Sequence, residues 1–240
     1  APGATPKSGS RLGLFFVIGG IVLVAVLVAV LLVVGSLGLL AYYNSQHPGG
    51  NSSTATGATA TPGVTSNIIF QDSLTSNTNG WADDGTNCTF KNGSYHVKGA
   101  VCLAPLTSPA GDATVRVSVK RISGAANEPY GLTLRHASRG NFYDFVISGD
   151  GAWAVFLHKG GNTSLLHPYT NNAAIHQGLG VSNILKVVMS GSTFHCYVND
   201  TLVGQFTDSS FASGEVGVSN FGTGTTVDAA FNNFEVDRNG

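Results

Sequence analysis

Charge is scarce in this chain. Only 10% of its 240 residues are Asp, Glu, Lys or Arg, less than half the share of about a quarter usual in soluble domains. From Arg11 to Asp72 no charged residue intervenes, so an ordinary cytosolic globule is excluded. Setting Lys7 and Arg11 aside, ten basic side chains stand against thirteen acidic ones. That balance leaves no basic footprint for nucleic acid. There is one Met and no run of like charges, which excludes Met-rich grooves and charged tails. Cysteine is limited to Cys88, Cys102 and Cys196, and none has zinc-ligand spacing with a histidine.

What the sequence has instead is one long apolar run. Leu12–Tyr43 is interrupted only by Gly and Ser36, and about 20 apolar residues suffice to span a bilayer as a helix. A secretory signal has a shorter apolar region, about 7–15 residues. Residues 12–43 therefore read as one N-terminal transmembrane helix, with 1–11 as a cytoplasmic juxtamembrane stub. Lys7 and Arg11 precede the run and no cation follows until Lys91. The positive-inside rule then leaves the N-terminus in the cytoplasm and the rest of this single-pass protein outside the cell membrane. The chain begins with Ala1, which reads as a fragment or a processed product. Residues 44–67, rich in Ser, Thr, Gly and Ala, form a disordered tether of roughly 27 Å root-mean-square span.

Residues 68–240 are long enough for one well-buried domain. No amphipathic helix is evident there; short β-rich runs recur between turn residues. Ala113–Ile122 alternates Val115, Val117 and Val119 with Arg116, Ser118 and Lys120, the half-buried strand pattern. Phe142–Ile147 and Ala152–His158 flank the hairpin signal Ser148-Gly149-Asp150-Gly151. Ile184–Ser190, Thr193–Val198, Thr201–Phe206, Glu215–Ser219 and Thr226–Val236 complete the strand set, with Asn171–Gln177 a possible helical turn. A dozen short strands with tight turns imply an all-β antiparallel sandwich or jelly roll.

Several motifs then follow in a telling order. Ile69-Phe70-Gln71-Asp72 and Trp81 precede Tyr130-Gly131-Leu132-Thr133-Leu134-Arg135 and Phe142-Tyr143-Asp144-Phe145-Val146-Ile147. Asn183-Ile184-Leu185-Lys186, Tyr197-Val198-Asn199-Asp200, Gly214-Glu215-Val216-Gly217 and Phe231-Asn232-Asn233-Phe234 come after. This order resembles the concanavalin A-like lectin/glucanase jelly roll, in its laminin-G-like, 3-keto-disaccharide hydrolase-like branch. It is most similar to external domains of bacterial single-span proteins, some with a Ser/Thr kinase inside. The resemblance implies two curved antiparallel sheets and a concave face that often holds carbohydrate. It also implies a disulfide between Cys88 and Cys102, two separate buried thiols being the alternative. The same resemblance implies a structural calcium near the chain ends, with Asp72 and Asp228 as candidate ligands, although Asn232 stands where relatives commonly have Asp. No other cofactor is implied.

Catalysis is disfavoured by the residues themselves. Glycoside hydrolysis needs two carboxylates about 5–9 Å apart. Within strands, only Glu235 and Asp237 share an i, i+2 spacing, at the extreme terminus, so no catalytic residue is assigned. Sugar binding needs an aromatic platform and a few convergent polar groups. Arg135 alternates with Leu132 and Leu134 and so reads as a sheet-surface residue suited to vicinal hydroxyls. Tyr143, Trp153 and His158 are the nearby aromatic candidates, with burial in the core the competing reading for Tyr143 and Trp153. Cys196 alternates with Phe194 and Val198 as a small buried hydrophobe. The leading expectation is a membrane-anchored extracellular recognition module that binds glycan or cell-wall polysaccharide without catalysis. A filament or surface-assembly subunit, hence a homo-oligomer packed through its apolar helix, is the second expectation. A glycoside hydrolase acting on a 3-keto-disaccharide is the third.

Overall fold

The computed structural model describes residues 67–221 and 227–238. The expected stub, membrane helix and all of the tether but Asn67 lie outside these residues. Fourteen strands and no helix occur among the described residues. They form two antiparallel sheets.

The larger sheet contains β1 (Ile68–Asp72), β2 (Cys88–Lys91), β3 (Ser94–Val97), β5 (Ala113–Ser123), β10 (Ser182–Ser190), β11 (Thr193–Val198), β12 (Thr201–Thr207) and β14 (Asp228–Arg238). Its order is β12-β11-β10-β5-β14-β3-β2, with β1 also on β14. The smaller sheet contains β4 (Val101–Leu103), β6 (Pro129–Ser138), β7 (Asn141–Ser148), β8 (Ala152–Lys159), β9 (Asn162–Asn171) and β13 (Glu215–Asn220). Its order is β4-β13-β6-β7-β8-β9.

The period-2 pattern explains why the sheets pack. Val115, Val117 and Val119 of β5 are buried with Leu185, Val187 and Met189 of β10 and Phe194, Cys196 and Val198 of β11. They share one core with Leu132, Leu134, Tyr143, Phe145, Ile147, Val216 and Val218 of the smaller sheet. Each large apolar side chain buried this way contributes about 1.5–3 kcal/mol. Cys196 is fully buried, and burial pushes its thiol up from its ordinary range. At one end, Trp81 lies edge-on to Phe234 at 5.1 Å and gives its indole N–H to Asp72 Oδ2 at 3.0 Å.

Local chemistry sets the register. Asn199 and Asp200 both have positive φ, 49° and 62°, the backbone of a two-residue turn that twists with its strands; this turn joins β11 to β12. The disulfide Cys88–Cys102 is present, its ends 14 positions apart in sequence. It ties β2 of one sheet to β4 of the other, so the alternative of two separate thiols falls.

Two features depart from expectation. The segment Asn171–Gln177 makes no helix: Asn172 accepts Ile175 N–H through its carbonyl and Ala174 N–H through its side chain, closing a turn. And β9 had no strand signal. It is polar, contains Pro168 and pairs only with β8, which is where a sheet tolerates proline.

Candidate functional site

Strands β6, β7, β8 and β13 of the smaller sheet bury residues on both faces. On β7, Tyr143, Phe145 and Ile147 enter the core, so Phe142, Asp144, Val146 and Ser148 point the opposite way. On β8, Trp153, Val155 and Leu157 are core, leaving Ala152, Ala154, Phe156 and His158 on that second face. The register sets Phe142 opposite His158 and Asp144 opposite Phe156. On β6 and β13, Thr133 lies opposite Asp144 and Ser219 opposite Gly131.

These alternations assemble a buried polar group. Asp144 is fully buried; its Oδ1 accepts Thr133 Oγ1 at 2.7 Å and Ser219 Oγ at 3.1 Å. Its Oδ2 lies 2.8 Å from His158 Nε2, and the other imidazole nitrogen is 2.9 Å from Thr163 Oγ1. Burial pushes the Asp144 carboxyl up from its ordinary range, opposed by the His158 contact and the Thr133 hydroxyl. The imidazole stacks on Phe142 at 4.2 Å and on Phe221 at 5.2 Å.

A cavity of about 740 Å³ opens beside this group. Phe156, Tyr169 and Phe221 are its aromatic walls, with Phe156 and Tyr169 edge-to-face at 6.0 Å. Glu128, Asp150, Asn171, His158 and Thr163 add polar groups. Burial raises the Tyr169 phenol above its ordinary pKa, and the charges of Glu128 and Asp150 add to this. The volume falls in the range of small-molecule sites, about 300–1,000 Å³. Flat aromatic faces beside convergent acceptors suit a ligand with apolar C–H faces and hydroxyl edges.

Of the four ligand candidates read from the sequence, His158 lines this cavity. Arg135 does not lie on a sheet surface, and this corrects the expected placement. Its φ is 46° at an irregularity between Leu134 and Ser138, which breaks the alternation and turns the side chain inward. The guanidinium is 1% exposed; it donates to the carbonyls of Gly191 at 2.8 Å and Phe211 at 3.0 Å and packs over the Phe194 ring. Tyr143 and Trp153 take the core placement. Tyr143 donates to Asp208 at 2.6 Å, and burial pushes its phenol up to about 12. Trp153 stacks on His167 at 3.8 Å and fills the space over Gly204, where a Cβ would lie 2.5 Å from its ring.

The two calcium candidates do not converge. Asp72 pairs with Phe234, six positions from Asp228 along β14, roughly 20 Å away at strand rise. Asp72 accepts N–H groups from Leu74, Asn79 and Trp81, and Asp228 pairs with His96 at 2.7 Å and Lys91 at 3.0 Å. Among the described residues no group of three or more His, Cys, Asp or Glu side chains could hold a metal ion.

Sequence reasoning missed Phe156, Tyr169, Phe221, Glu128 and Asp150. One signal was available: Asp144 is a charge set inside the apolar strand Phe142–Ile147, and such a residue needs buried partners on the face it occupies. Tyr169 sits on the strand that gave no signal.

No protein-family model matches the sequence, and no curated protein matches it. Solved structures do share the fold. A carbohydrate-binding module, CBM66 from Bacillus subtilis, superposes with a TM-score of 0.55 at 18% identity, over 66% of this chain and 95% of that one. A xylan β-1,4-xylosidase from Bacillus halodurans gives 0.55 at 13% identity over 80% of this chain. The match spans 41% of that enzyme, about two fifths of its length. A Bacillus subtilis protein with a galectin-like fold gives 0.54 at 12% identity, over 71% and 96% of the two chains. The all-β antiparallel sandwich, consistent with a concanavalin A-like jelly roll, is thus shared with these structures, a carbohydrate-binding module and a xylosidase among them.

Proposed function

We propose that residues 67–238 form a carbohydrate-binding head whose site is the cavity beside His158. The observation that carries the reading is the meeting of Phe156, Tyr169 and Phe221 with Glu128, Asp150 and Asn171 around about 740 Å³. Aromatic faces take the C–H side of a sugar and the polar groups take its hydroxyls. The fold shared with a carbohydrate-binding module and a xylosidase supports the same class of ligand. The apolar run 12–43 would anchor the head to the membrane, and the Cys88–Cys102 disulfide supports an oxidising, extracellular setting.

The test is a polysaccharide and glycan-array screen with the detergent-solubilised chain and a Phe156→Ala/Tyr169→Ala variant. Saturable binding weakened at least about tenfold in the variant supports the site, since each stacked aromatic contributes on the order of 1 kcal/mol. Absence of saturable binding by folded protein overturns the reading.

One observation favours a second reading, glycoside hydrolysis: two carboxylates, Glu128 and Asp150, line the same cavity. Turnover of a glycoside that is abolished by Asp150→Asn, with binding retained, would establish it; binding without turnover would leave recognition alone.

A further inference from the structure

The polar lining of the cavity is one-sided in charge. Glu128 and Asp150 both line it, and among the described residues no Lys or Arg does. Both carboxylates act on the Tyr169 phenol, so their field converges on the aromatic end of the cavity. Phe156 and Tyr169 meet there edge-to-face, offering ring faces on which a cation is stabilised. In this cavity a sugar carboxylate would meet two like charges. A sugar bearing an ammonium would gain charge-assisted hydrogen bonds and a cation–π contact together.

The groove continues past this cavity. A second one of about 500 Å³ shares His158 and Phe221 with it and is lined by His136 and Arg139. The two ends of the face therefore differ in sign: carboxylates on one side of the His158–Phe221 wall, a guanidinium on the other.

Resting on the reading that this cavity holds a glycan, we propose that it selects an amine-bearing sugar, a hexosamine with a free ammonium, over its N-acetylated or acidic counterparts. N-acetylation removes the positive charge and converts a triple donor into a single N–H, so both carboxylates lose their strongest partner.

The deciding experiment is calorimetric titration of the detergent-solubilised chain at about pH 6, where carboxylates are ionised and amines protonated. The probes are a glucosamine tetramer, the N-acetylglucosamine tetramer and a galacturonate tetramer. The glucosamine tetramer should bind about tenfold or more tighter than the N-acetylated one, and the galacturonate tetramer weakest. That preference should collapse in Glu128→Gln and in Asp150→Asn. It should also shrink several-fold in the wild type when salt rises from about 0.05 to 0.5 M, a readout independent of how either variant folds. Equal binding of the first two probes, or strongest binding of galacturonate, overturns the charge selection and leaves glycan recognition standing. Binding of array glycans with none of these tetramers also overturns the selection. No glycan binding of any kind overturns both.

Discussion

The two sheets of the sandwich treat their outer faces differently. In the larger sheet β5 and β10 alternate buried and half-buried residues along most of their length. Arg116, Ser118, Lys120 and Lys186 meet solvent there. In the smaller sheet β6, β7 and β8 are buried almost continuously on both faces. Their second face holds Gly131, Thr133, Asp144, Val146 and Ala154, joined by Ser219 of β13, all buried. A face meant only to be wetted has no use for a buried carboxylate held by two hydroxyls and an imidazole, because desolvating that charge is costly unless its partners hold it. The difference supports the proposed placement of the site on the smaller sheet, with the larger sheet as its platform.

The sharpest way to break this contrast is Asp144→Ala. It leaves the Thr133 and Ser219 hydroxyls and His158 Nε2 without their acceptor in a buried setting. The expected loss is about 3 kcal/mol, with Asp144→Asn losing less because an acceptor oxygen remains. Urea unfolding followed by tryptophan fluorescence reads this cleanly, since both tryptophans, Trp81 and Trp153, are buried in the sandwich. A loss below about 1 kcal/mol would show that the face tolerates an apolar residue there and that the polar group does not organise it.

Next in size is the link between the sheets. Replacing Cys88 and Cys102 together by Ser should lower stability by about 3 kcal/mol, the value for freeing a loop of this length in the unfolded chain. The midpoint in urea should fall to that of the reduced wild type. If reduction leaves the wild-type midpoint unchanged, the sheets are held by their shared core alone.

How much of this was legible follows from the same contrast. The larger sheet could be read because its strands are amphipathic: Val115, Val117 and Val119 against Arg116, Ser118 and Lys120 leave one solution. Asn199-Asp200 was legible as a turn because short polar side chains tolerate positive φ. Arg135 was misplaced because alternation assumes an unbroken ladder, and the irregularity at its left-handed backbone reverses the facing. The site was mostly illegible because it joins β6, β7, β8, β9 and β13 by pairing across the sheet, and no local spacing records which strands are neighbours. Tyr169 and Phe221 are far apart in the chain and come together only through that order.

A third test uses acid. Asp228 sits on β14 of the larger sheet. Burial alone would raise its carboxyl, but the hydrogen bond with His96 and the Lys91 ammonium outweigh this and hold it below the ordinary carboxylate range. Its stabilisation is therefore complete above the unfolded pKa of about 4 and is lost as pH falls through the lower folded value. Asp228→Asn should cost about 1–2 kcal/mol at pH 7. Between about pH 4 and pH 2 its stability should fall less steeply than the wild type's. Parallel acid limbs would remove Asp228 from the account of acid stability.

The smallest effect belongs to the solvated face. Lys186 lies over the Tyr197 ring at 4.4 Å and 3.6 Å from Asp200, with both charged groups open to water. Water and salt screen such a pair, and its side chains lose rotamer freedom by meeting, so exposed ion pairs and cation–π contacts each contribute at most about 1 kcal/mol. Lys186→Gln should therefore lower stability by no more than about 1 kcal/mol, and part of that loss should vanish in about 1 M salt, where the Debye length is near 3 Å. A salt-insensitive loss above about 2 kcal/mol would mean that Lys186 is held as Asp144 is held. The outer faces of the two sheets would then no longer differ in kind, and the case for assigning the site to one of them would have to rest on the cavity alone.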